Sequence, residues 1–554
     1  MTTDFSSREF QMLPVLTPLQ METAKRFSLG EPTRFAPGEQ VFSVGDHNVP
    51  AWLVLDGAIE TFRHDGLTRR AQFTTHRTGQ MSGEVSQLSG RPILVDGKAG
   101  ADGCTAVAFD GPHLRALVIG SADIGELIMR AFILRRVALI SAGGSGSVLV
   151  GTPGQPSLTR LEGFLSRVAF PYVTLDATLD TEGRALVERL GILASELPLM
   201  VCPNGTVLKN PTDGDAALCL GITPDLKEDM VYDVAIVGAG PAGLAASVYA
   251  ASEGLSVIVL DERAAGGQAG ASARIENYLG FPTGISGFAL AGRAFNQALK
   301  FGVEIAFPLQ VADLIPKSGP GALHALTLTD GRTVAARTIV IASGARYRRP
   351  DIAGIDSFEG AGISYWASAI EARLCAGEEI ALIGGGNSAG QAVVFLAPQV
   401  KKLCLIVRRK LEETMSSYLI DRIAALPNVE IHTTCEVVGL EADSERLLCG
   451  AILKDRQTAR ERRIPMRHMF LFIGADPNAA WVRNHVETDE HGFICTGRFS
   501  DAAGGRPAFP LETSLPNVFA IGDVRAGSTK RVAAAVGEGA AVVAQIHAAL
   551  AAMM

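Results

Sequence analysis

The sequence predicts a multidomain α/β chain, and three observations carry that prediction. Its 554 residues exceed what one hydrophobic core can hold, so about three or four domains are expected. Two glycine loops stand in the second half, in VYDVAIVGAGPAGLAASVYA and EIALIGGGNSAGQAVVFL. Each follows an apolar strand-like run and opens an Ala-rich helix-like run. The first 225 residues have another texture, in which short β-like runs give way to strands alternating with helices.

Composition narrows the class. At 47% apolar and 19% charged residues the chain is globular, and 60 glycines suit a loop-rich α/β architecture. A net charge of -8 argues against nucleic-acid or anionic-membrane binding. No apolar run is expected to reach the roughly eighteen residues a membrane helix needs; LIMRAFILRRVALI is interrupted by Arg130, Arg135 and Arg136. MTTDFSSREF lacks the basic-then-apolar pattern of a secretory signal. The cysteines at 104, 202, 219, 375, 404, 435, 449 and 495 share neither CxxC nor metal-like spacing. They are expected to be reduced thiols of a cytoplasmic protein, with no metal site.

Residues 1–136 are expected to form an N-terminal β-roll from EQVFSVGD, AWLVLDGAIETF, AQFTTHRTGQMSGE and LRALVIG, closed by a helix over 121–136. The segment GQMSGEVSQLSGRPILVDGKA resembles the cyclic-nucleotide-binding domain family. There a Gly-Glu pair accepts a ribose hydroxyl and an arginine just after a proline holds the phosphate. Gly83, Glu84 and Pro92 match, whereas Ile93 stands at the arginine's place and Arg91 lies before the proline. Burying a phosphate without a cation is costly, so the alternatives are a small-ligand sensor and a docking or dimerisation module.

Residues 140–225 read as strand GSVLVG, helix SLTRLEGFLSRV, strand PYVTLDA, helix TEGRALVERLG and a hairpin LPLMVCPNGTVLKN turning at Asn-Gly. This order resembles a thioredoxin or glutaredoxin-like α/β domain, with Leu197-Pro198 at the family's cis-proline. GTPGQPSLT stands where the family's CxxC belongs, so disulfide chemistry is not expected at that position.

In the remainder, Gly238, Gly240 and Gly243 have GxGxxG spacing, while Gly384, Gly386 and Ala389 have GxGxxA spacing. Glycine lets the backbone turn and approach a pyrophosphate, and the following helix N-terminus supplies N–H donors and a positive dipole. Two such loops point to electron transfer between two dinucleotides. Residues 230–554 resemble the low-molecular-weight thioredoxin reductase family, with two Rossmann-like domains. The resemblance implies an FAD domain in two parts, 230–347 and 477–554, with an NAD(P)H domain inserted at 348–476.

That resemblance assigns the FAD contacts. Gly238, Gly240, Pro241, Ala242 and Gly243 take the pyrophosphate; Asp261, eighteen residues past Gly243, takes the ribose, with Glu262 beside it. Gly267, Gln268 and Asn277 of GGQAGASARIENYLGFP, Ala342-Ser343-Gly344, Gly522-Asp523 and Val311 complete the cofactor set. Arg531, Val532 and Ala533 meet the flavin's pyrimidine edge. A helix dipole and a cation there favour the anionic reduced form. For NAD(P)H the set is Gly384, Gly385, Gly386, Asn387, Ser388 and Ala389, with Arg408 and Arg409 where an NAD enzyme places a carboxylate. Guanidinium groups there favour NADPH over NADH, although Val407 and Glu413 depart from the family's HRRxxxR.

Family members that reduce disulfides carry a CxxC before the second loop. Here Trp366 and Ala369 stand at its two positions, and Cys375 is single. The expected function is therefore an FAD-dependent NAD(P)H oxidoreductase, with hydride passing to flavin and then directly to an external acceptor. The alternatives are a flavin redox sensor and a thioredoxin-disulfide reductase. Trp366 either fills the vacated space or packs near the flavin as part of an acceptor site. Rotation of the two nucleotide domains on linkers near 345–350 and 474–478, and a homodimer, are what the family implies.

Overall fold

The computed structural model describes the chain apart from residues 1–8, 65–69, 85, 143–145, 169, 204, 225, 227–228, 273, 317–322, 360–361, 368, 445–446, 498–507 and 554. The chain divides into two compact units. One comprises Met1–Ile236, Ser247–Ala265 and Ala294–Thr338; the other comprises Val237–Ala246, Gly266–Arg293 and Ile339–Met554.

The first unit begins with helices α1 (Glu9–Met12) and α2 (Pro18–Lys25). Strands β1 (Thr33–Phe35), β2 (Gln40–Phe42), β3 (Ala51–His64) and β4 (Arg70–Arg77), helix α3 (Ser86–Ser89) and strand β5 (Val95–Phe109) follow. The strands form an antiparallel sheet in the order β1-β5-β3-β4, with β2 also on β5. Burial of Phe42, Trp52, Val54, Ile59 and Ile93 makes its core. LRALVIG is helical rather than extended: α4 (Gly111–Gly120) starts where the Asp110 carboxylate accepts the His113 N–H at 3.0 Å, with proline in the first turn. The closing helix, α5 (Ala122–Ala142), is longer than the sequence suggested.

Next come β6 (Ser147–Gly151), α6 (Pro156–Arg167), β7 (Tyr172–Asp176), α7 (Thr181–Leu190), β8 (Leu199–Val201), β9 (Val207–Lys209) and α8 (Asp213–Cys219). Their sheet order is β7-β6-β8-β9, with β6 and β7 parallel. The apolar spacing of α6 buries Leu158, Leu161, Phe164 and Leu165. Leu197-Pro198 is cis, and the hairpin forms as read, although Asn204 of its turn lies outside the described residues.

Strands β10 (Val231–Val237), β11 (Val257–Leu260), β12 (Glu304–Ala306), β13 (Val311–Ile315), β14 (His324–Leu328) and β15 (Thr333–Ile341) give the sheet β12-β11-β10-β15-β14-β13. Helix α9 (Pro241–Ser252) follows β10. Helices α10 (Gly267–Gly270) and α11 (Gly287–Lys300) lie between β11 and β12. The N-terminal part of β10 is tied to β15 where Arg337 pairs with Asp233 and the Thr338 hydroxyl donates to the Asp233 carbonyl.

In the second unit β16 (Ala345–Tyr347) precedes β17 (Ile363–Ser364), α12 (Ala369–Leu374), β18 (Glu379–Ile383), α13 (Asn387–Leu396), β19 (Lys402–Ile406), α14 (Ser417–Ala424) and β20 (Val429–His432). A meander of β21 (Cys435–Ala442), β22 (Leu448–Asp455) and β23 (Glu461–Pro465) leads to β24 (His468–Leu471). Then come β25 (Ala475–Pro477), β26 (Val518–Ala520) and α15 (Val532–Ala551). The parallel sheet β17-β24-β18-β19-β20 is a second nucleotide-binding scaffold. Strands β16 and β25 pair antiparallel at the two linker positions read from sequence. Ile339–Ile341 pair in parallel with Val518–Ala520, which returns the chain to the first nucleotide fold. Helix α15 is long and apolar enough to cross a membrane, with mean hydropathy 1.4. This corrects the reading that the chain holds no such stretch. One face of it is buried: Val542, Val543 and Ile546 are covered, and Gly539 sits against the Ala242 carbonyl.

Candidate functional site

The first glycine loop is shaped by positive φ. Gly238 has φ +111, and a Cβ there would collide with the Ala342 carbonyl oxygen. Ala342 in turn donates its N–H to Val237 at 2.8 Å, so the 342–344 turn and the loop are one piece. Gly240 and Gly267 approach closely: a Cβ on Gly267 would lie 3.0 Å from the Gly240 Cα. The Gly266 N–H donates to the Ala239 carbonyl at 2.7 Å. Pro241, Ala242 and buried Gly243 begin α9, whose N-terminal N–H groups face the gap left by these glycines.

Other predicted residues of this unit gather on the same scaffold. The Ser343 hydroxyl donates to the Asn478 carbonyl at 2.7 Å, and the Asn478 N–H donates to Gly344 at 3.0 Å. The Gln268 amide reaches the Ala345 carbonyl. Gly522 (φ +72) donates its N–H to Glu538 at 2.6 Å, and Glu538 pairs with Arg525 at 2.5 Å. Burial raises the pKa of the adjacent Asp523 carboxyl, against the opposing pull of Lys530. Lys530 donates to the Asp523 carbonyl and the Ser528 hydroxyl, and its ammonium stands 4.3 Å from the Phe493 ring centre. Arg531 is the N-cap of α15, with Val532 and Ala533 in its first turn. Asn277 is exposed and lines a cavity of about 370 Å³ with Arg274, Glu276 and Tyr418.

Three of the predicted residues belong to the other unit. Asp261 follows β11; its carboxylate accepts the Arg263 and Ala264 N–H groups at 2.8 and 3.1 Å. Exposed Glu262 lies 3.5 Å from Arg263, and Val311 is buried in β13.

The second loop repeats the design. Gly384 (φ +146) would clash with the Phe472 carbonyl if it bore a Cβ, and its N–H donates to Ile406 at 3.0 Å. Gly386 is the N-cap of α13, and nothing lies within 4 Å of where its Cβ would be. Asn387 accepts the Ser416 N–H at 2.7 Å, and Thr414 donates to the Gly385 carbonyl at 2.7 Å. Ser388 is exposed and Ala389 fully buried. Arg408 and Arg409 follow β19, exposed and without a hydrogen bond or ion pair among the described residues. Both loops thus leave space ahead of a helix N-terminus, which fits two dinucleotide phosphates.

At the CxxC positions Trp366 is half-buried and donates its indole N–H to Glu371 at 2.8 Å, while Ala369 opens α12. Cys375 is fully buried, and burial pushes its thiol up to about 11.

One reading of the cysteines is corrected. Cys202 and Cys219 form a disulfide, so the eight are not all free thiols. Sequence spacing hid the pair because α8 folds back on the β8–β9 hairpin. Cys404, Glu430 and His432 also bring their ligand atoms within 4.8 Å of one another on adjacent strands. Arg462 donates to His432 Nδ1 at 2.5 Å and Lys402 pairs with Glu430 at 2.5 Å, so cations already crowd that cluster. Sequence reasoning also missed Glu538, Asn478 and Ser416. Of these only Glu538, in GEG on α15, carried a local signal.

The roll explains the misplaced arginine. Arg91 stacks on Phe295 and Phe307, 5.3 and 4.9 Å from their ring centres. Arg136 lies 3.6 Å from Glu84 with its guanidinium 5.9 Å from the Phe170 ring centre, and buried Arg135 donates to the Gly83 and Met12 carbonyls at 2.7 and 2.8 Å. A cavity of about 30 Å³ is left, room for a single water.

A profile of the pyridine nucleotide-disulphide oxidoreductases matches residues 232–539. The chain belongs to that family. FAD and NAD(P)H are typical of its members, and this half of the chain is a flavin oxidoreductase of the thioredoxin reductase type. It is 33% identical over 309 residues to an alkyl hydroperoxide reductase subunit of Pseudomonas putida, spanning 56% of each chain. The chain therefore aligns with only about half the length of that relative. To thioredoxin reductase of Mycolicibacterium smegmatis it is 31% identical over 311 residues, 56% of this chain and 94% of the relative. The solved thioredoxin reductase of T. acidophilum superposes with TM-score 0.52 at 29% identity, covering 57% of this chain and 98% of that one. Residues ahead of the matched region have no family assignment from these comparisons.

Proposed function

We propose that the chain is an FAD-dependent NAD(P)H oxidoreductase that delivers electrons to an external acceptor without a dithiol beside the nicotinamide loop. The observation carrying this reading is the pair Trp366 and Ala369 at the CxxC positions, with Cys375 sealed in the core. Bound flavin supplies the two-electron chemistry linking NAD(P)H oxidation to reduction of the acceptor. The chain's own residues bind and orient. Gly238–Gly243 and the first turn of α9 hold one pyrophosphate, and Gly384–Ala389 with α13 hold the other. Glu538 fixes the 522–523 turn through the Gly522 N–H, and the N-terminus of α15, with Arg531 as its N-cap residue, would meet the flavin edge. Arg408 and Arg409, without an ion pair among the described residues, favour a 2′-phosphate, hence NADPH.

The N-terminal units are read as a cyclic-nucleotide-binding-like roll that has become a docking element, and as a thioredoxin-like spacer. Arg135 lines the roll's pocket and Arg136 faces Glu84 from beside it. The Gln155 amide donates to the Leu197 carbonyl at 2.9 Å, covering a backbone acceptor beside the cis-proline. The Cys202–Cys219 disulfide favours a second reading, reduction of disulfide substrates through that module.

Steady-state NADPH oxidation across quinones, ferricyanide, ferredoxin, oxygen and oxidised thioredoxin decides among these. Turnover with a non-thiol acceptor that survives replacement of Cys202 and Cys219 by serine supports the first reading. Turnover with thioredoxin alone replaces it by the second. Rapid flavin reduction with slow turnover on every acceptor makes the protein a redox sensor.

A further inference from the structure

The Cys202–Cys219 disulfide stands at a junction of three modules. Cys219 is the last residue of α8, which starts with a Thr212–Asp215 capping box and ends on Gly221 (φ +59), with the Ile222 N–H donating back to Ala217 at 2.9 Å. The disulfide ties that end to the β8–β9 hairpin, so both ends of a seven-residue helix are anchored.

The segment just beyond it touches both other modules. The Gly221 backbone lies so close to Pro92 and His47 of the roll that a Cβ would strike the proline ring and stand 3.0 Å from His47. Leu220 and Ile222 are buried. The Thr223 hydroxyl donates to the Phe307 carbonyl at 3.2 Å. Phe307 also carries the Arg91 guanidinium on its ring, and Arg91 is the residue before Pro92. Within five residues the chain leaves the disulfide, presses on the roll and reaches the loop after β12.

We propose that Cys202–Cys219 is a thiol–disulfide exchange site, open to dithiols through Cys219, whose reduction loosens this three-module junction. Cys202 is fully buried, whereas Cys219 is half-exposed, so an attacking thiolate reaches the Cys219 sulfur. Attack forms a mixed disulfide on Cys219 and releases Cys202 as a thiolate that takes up a proton. The second thiol of the reductant then resolves the mixed disulfide and frees Cys219. The disulfide gains two electrons and two protons; the dithiol loses the same and becomes a disulfide. Once cut, α8 is held by its caps, the Arg160–Asp213 pair and the burial of Ala216 and Ala217, and residues 220–223 lose their covalent anchor to the hairpin. The proposal concerns residues outside the nucleotide loops and does not depend on the identity of the electron acceptor.

The test uses the full-length flavin-loaded protein with dithiothreitol, thiol alkylation mapped by mass spectrometry, and amide hydrogen exchange. Cys202 and Cys219 are expected to be alkylated as a pair only after reductant, and before buried Cys104 and Cys375. Amides of 220–223 and 305–309 are then expected to exchange about tenfold faster or more. Unchanged exchange at 305–309 in the reduced protein overturns the proposal. So does alkylation of both residues without reductant. Because removing the disulfide could itself unfold the module, Thr223→Val provides an independent arm with the bridge intact. It is expected to speed exchange at 305–309 without reductant, and failure to do so counts against the junction.

Discussion

The two glycine loops and the roll's Gly-Glu pair each read in the sequence as nucleotide-binding patterns, yet the structure treats them oppositely. Beyond Gly386 the space is open, and at Gly240 only the Gly267 Cα comes within 4 Å. Arg408 and Arg409 are held by nothing among the described residues. In the roll, Glu84 faces Arg136, Arg135 is spent on two carbonyls, and Arg91 stacks on the neighbouring module. A motif keeps its backbone shape long after its polar groups have been satisfied internally. Whether those groups are still available is what separates a site from a scaffold.

The contrast is sharpest at two glycines of similar conformation. Gly238→Ala places a Cβ against the Ala342 carbonyl and is expected to cost about 3 kcal/mol or more. The purified variant should lack the flavin absorbance of the parent. Gly83→Ala, at φ +110, meets only side-chain carbons of Gln87, Phe132 and Ala51 at 3.3–3.4 Å. It should lower thermal stability by about 1 kcal/mol and leave flavin content whole. Equal flavin loss in both variants would erase the distinction.

Charge gives the next largest effect. Arg408→Ala and Arg409→Ala are each expected to raise the KM for NADPH about tenfold while moving that for NADH about twofold at most, because only NADPH carries the 2′-phosphate. Ferricyanide-linked kinetics with both donors checks this, and equal shifts would break it. For the roll, millimolar cyclic AMP or cyclic GMP should leave the melting temperature unchanged. A ligand binding the folded state at a hundred times its Kd would add about 2.7 kcal/mol. A clear rise would return the roll to the class of open sites.

The smallest effect is a pH dependence. Burial, reinforced by Arg135, holds the pKa of His76 well below its ordinary value. The unfolded chain therefore binds a proton that the folded roll does not, and stability falls as pH drops below about 6.5, by at most about 1.4 kcal/mol per pH unit. Above that pH the contribution is constant. Melting curves between pH 7.5 and 5.5, compared with those of His76→Gln, should show the variant losing part of this slope.

Much of the architecture was legible because it is local. Period-two and helical apolar patterns marked β6, α6, β7 and α7, and glycine spacing after an apolar strand marked both nucleotide loops. LRALVIG misled because its apolar residues suit a strand as well as the short helix that Asp110 caps. At the site, the glycines and arginines were visible, whereas Glu538 under Gly522, Asn478 beside Ser343 and Ser416 on Asn387 were not. The last two are joined by contacts between residues far apart in the chain. The disulfide escaped for the same reason: 17 residues of intervening chain carry no motif.

The amino-acid order alone pointed to the two dinucleotide scaffolds, which depend on residue type at fixed spacing, and the family resemblance set Trp366 and Ala369 at the expected CxxC positions. Only the tertiary structure decided that the roll's arginines are already engaged and that Cys202 meets Cys219. It also placed residues 220–223 between the roll and Phe307. Those outcomes rest on which distant groups satisfy one another's hydrogen bonds and volume, and no local pattern encodes them.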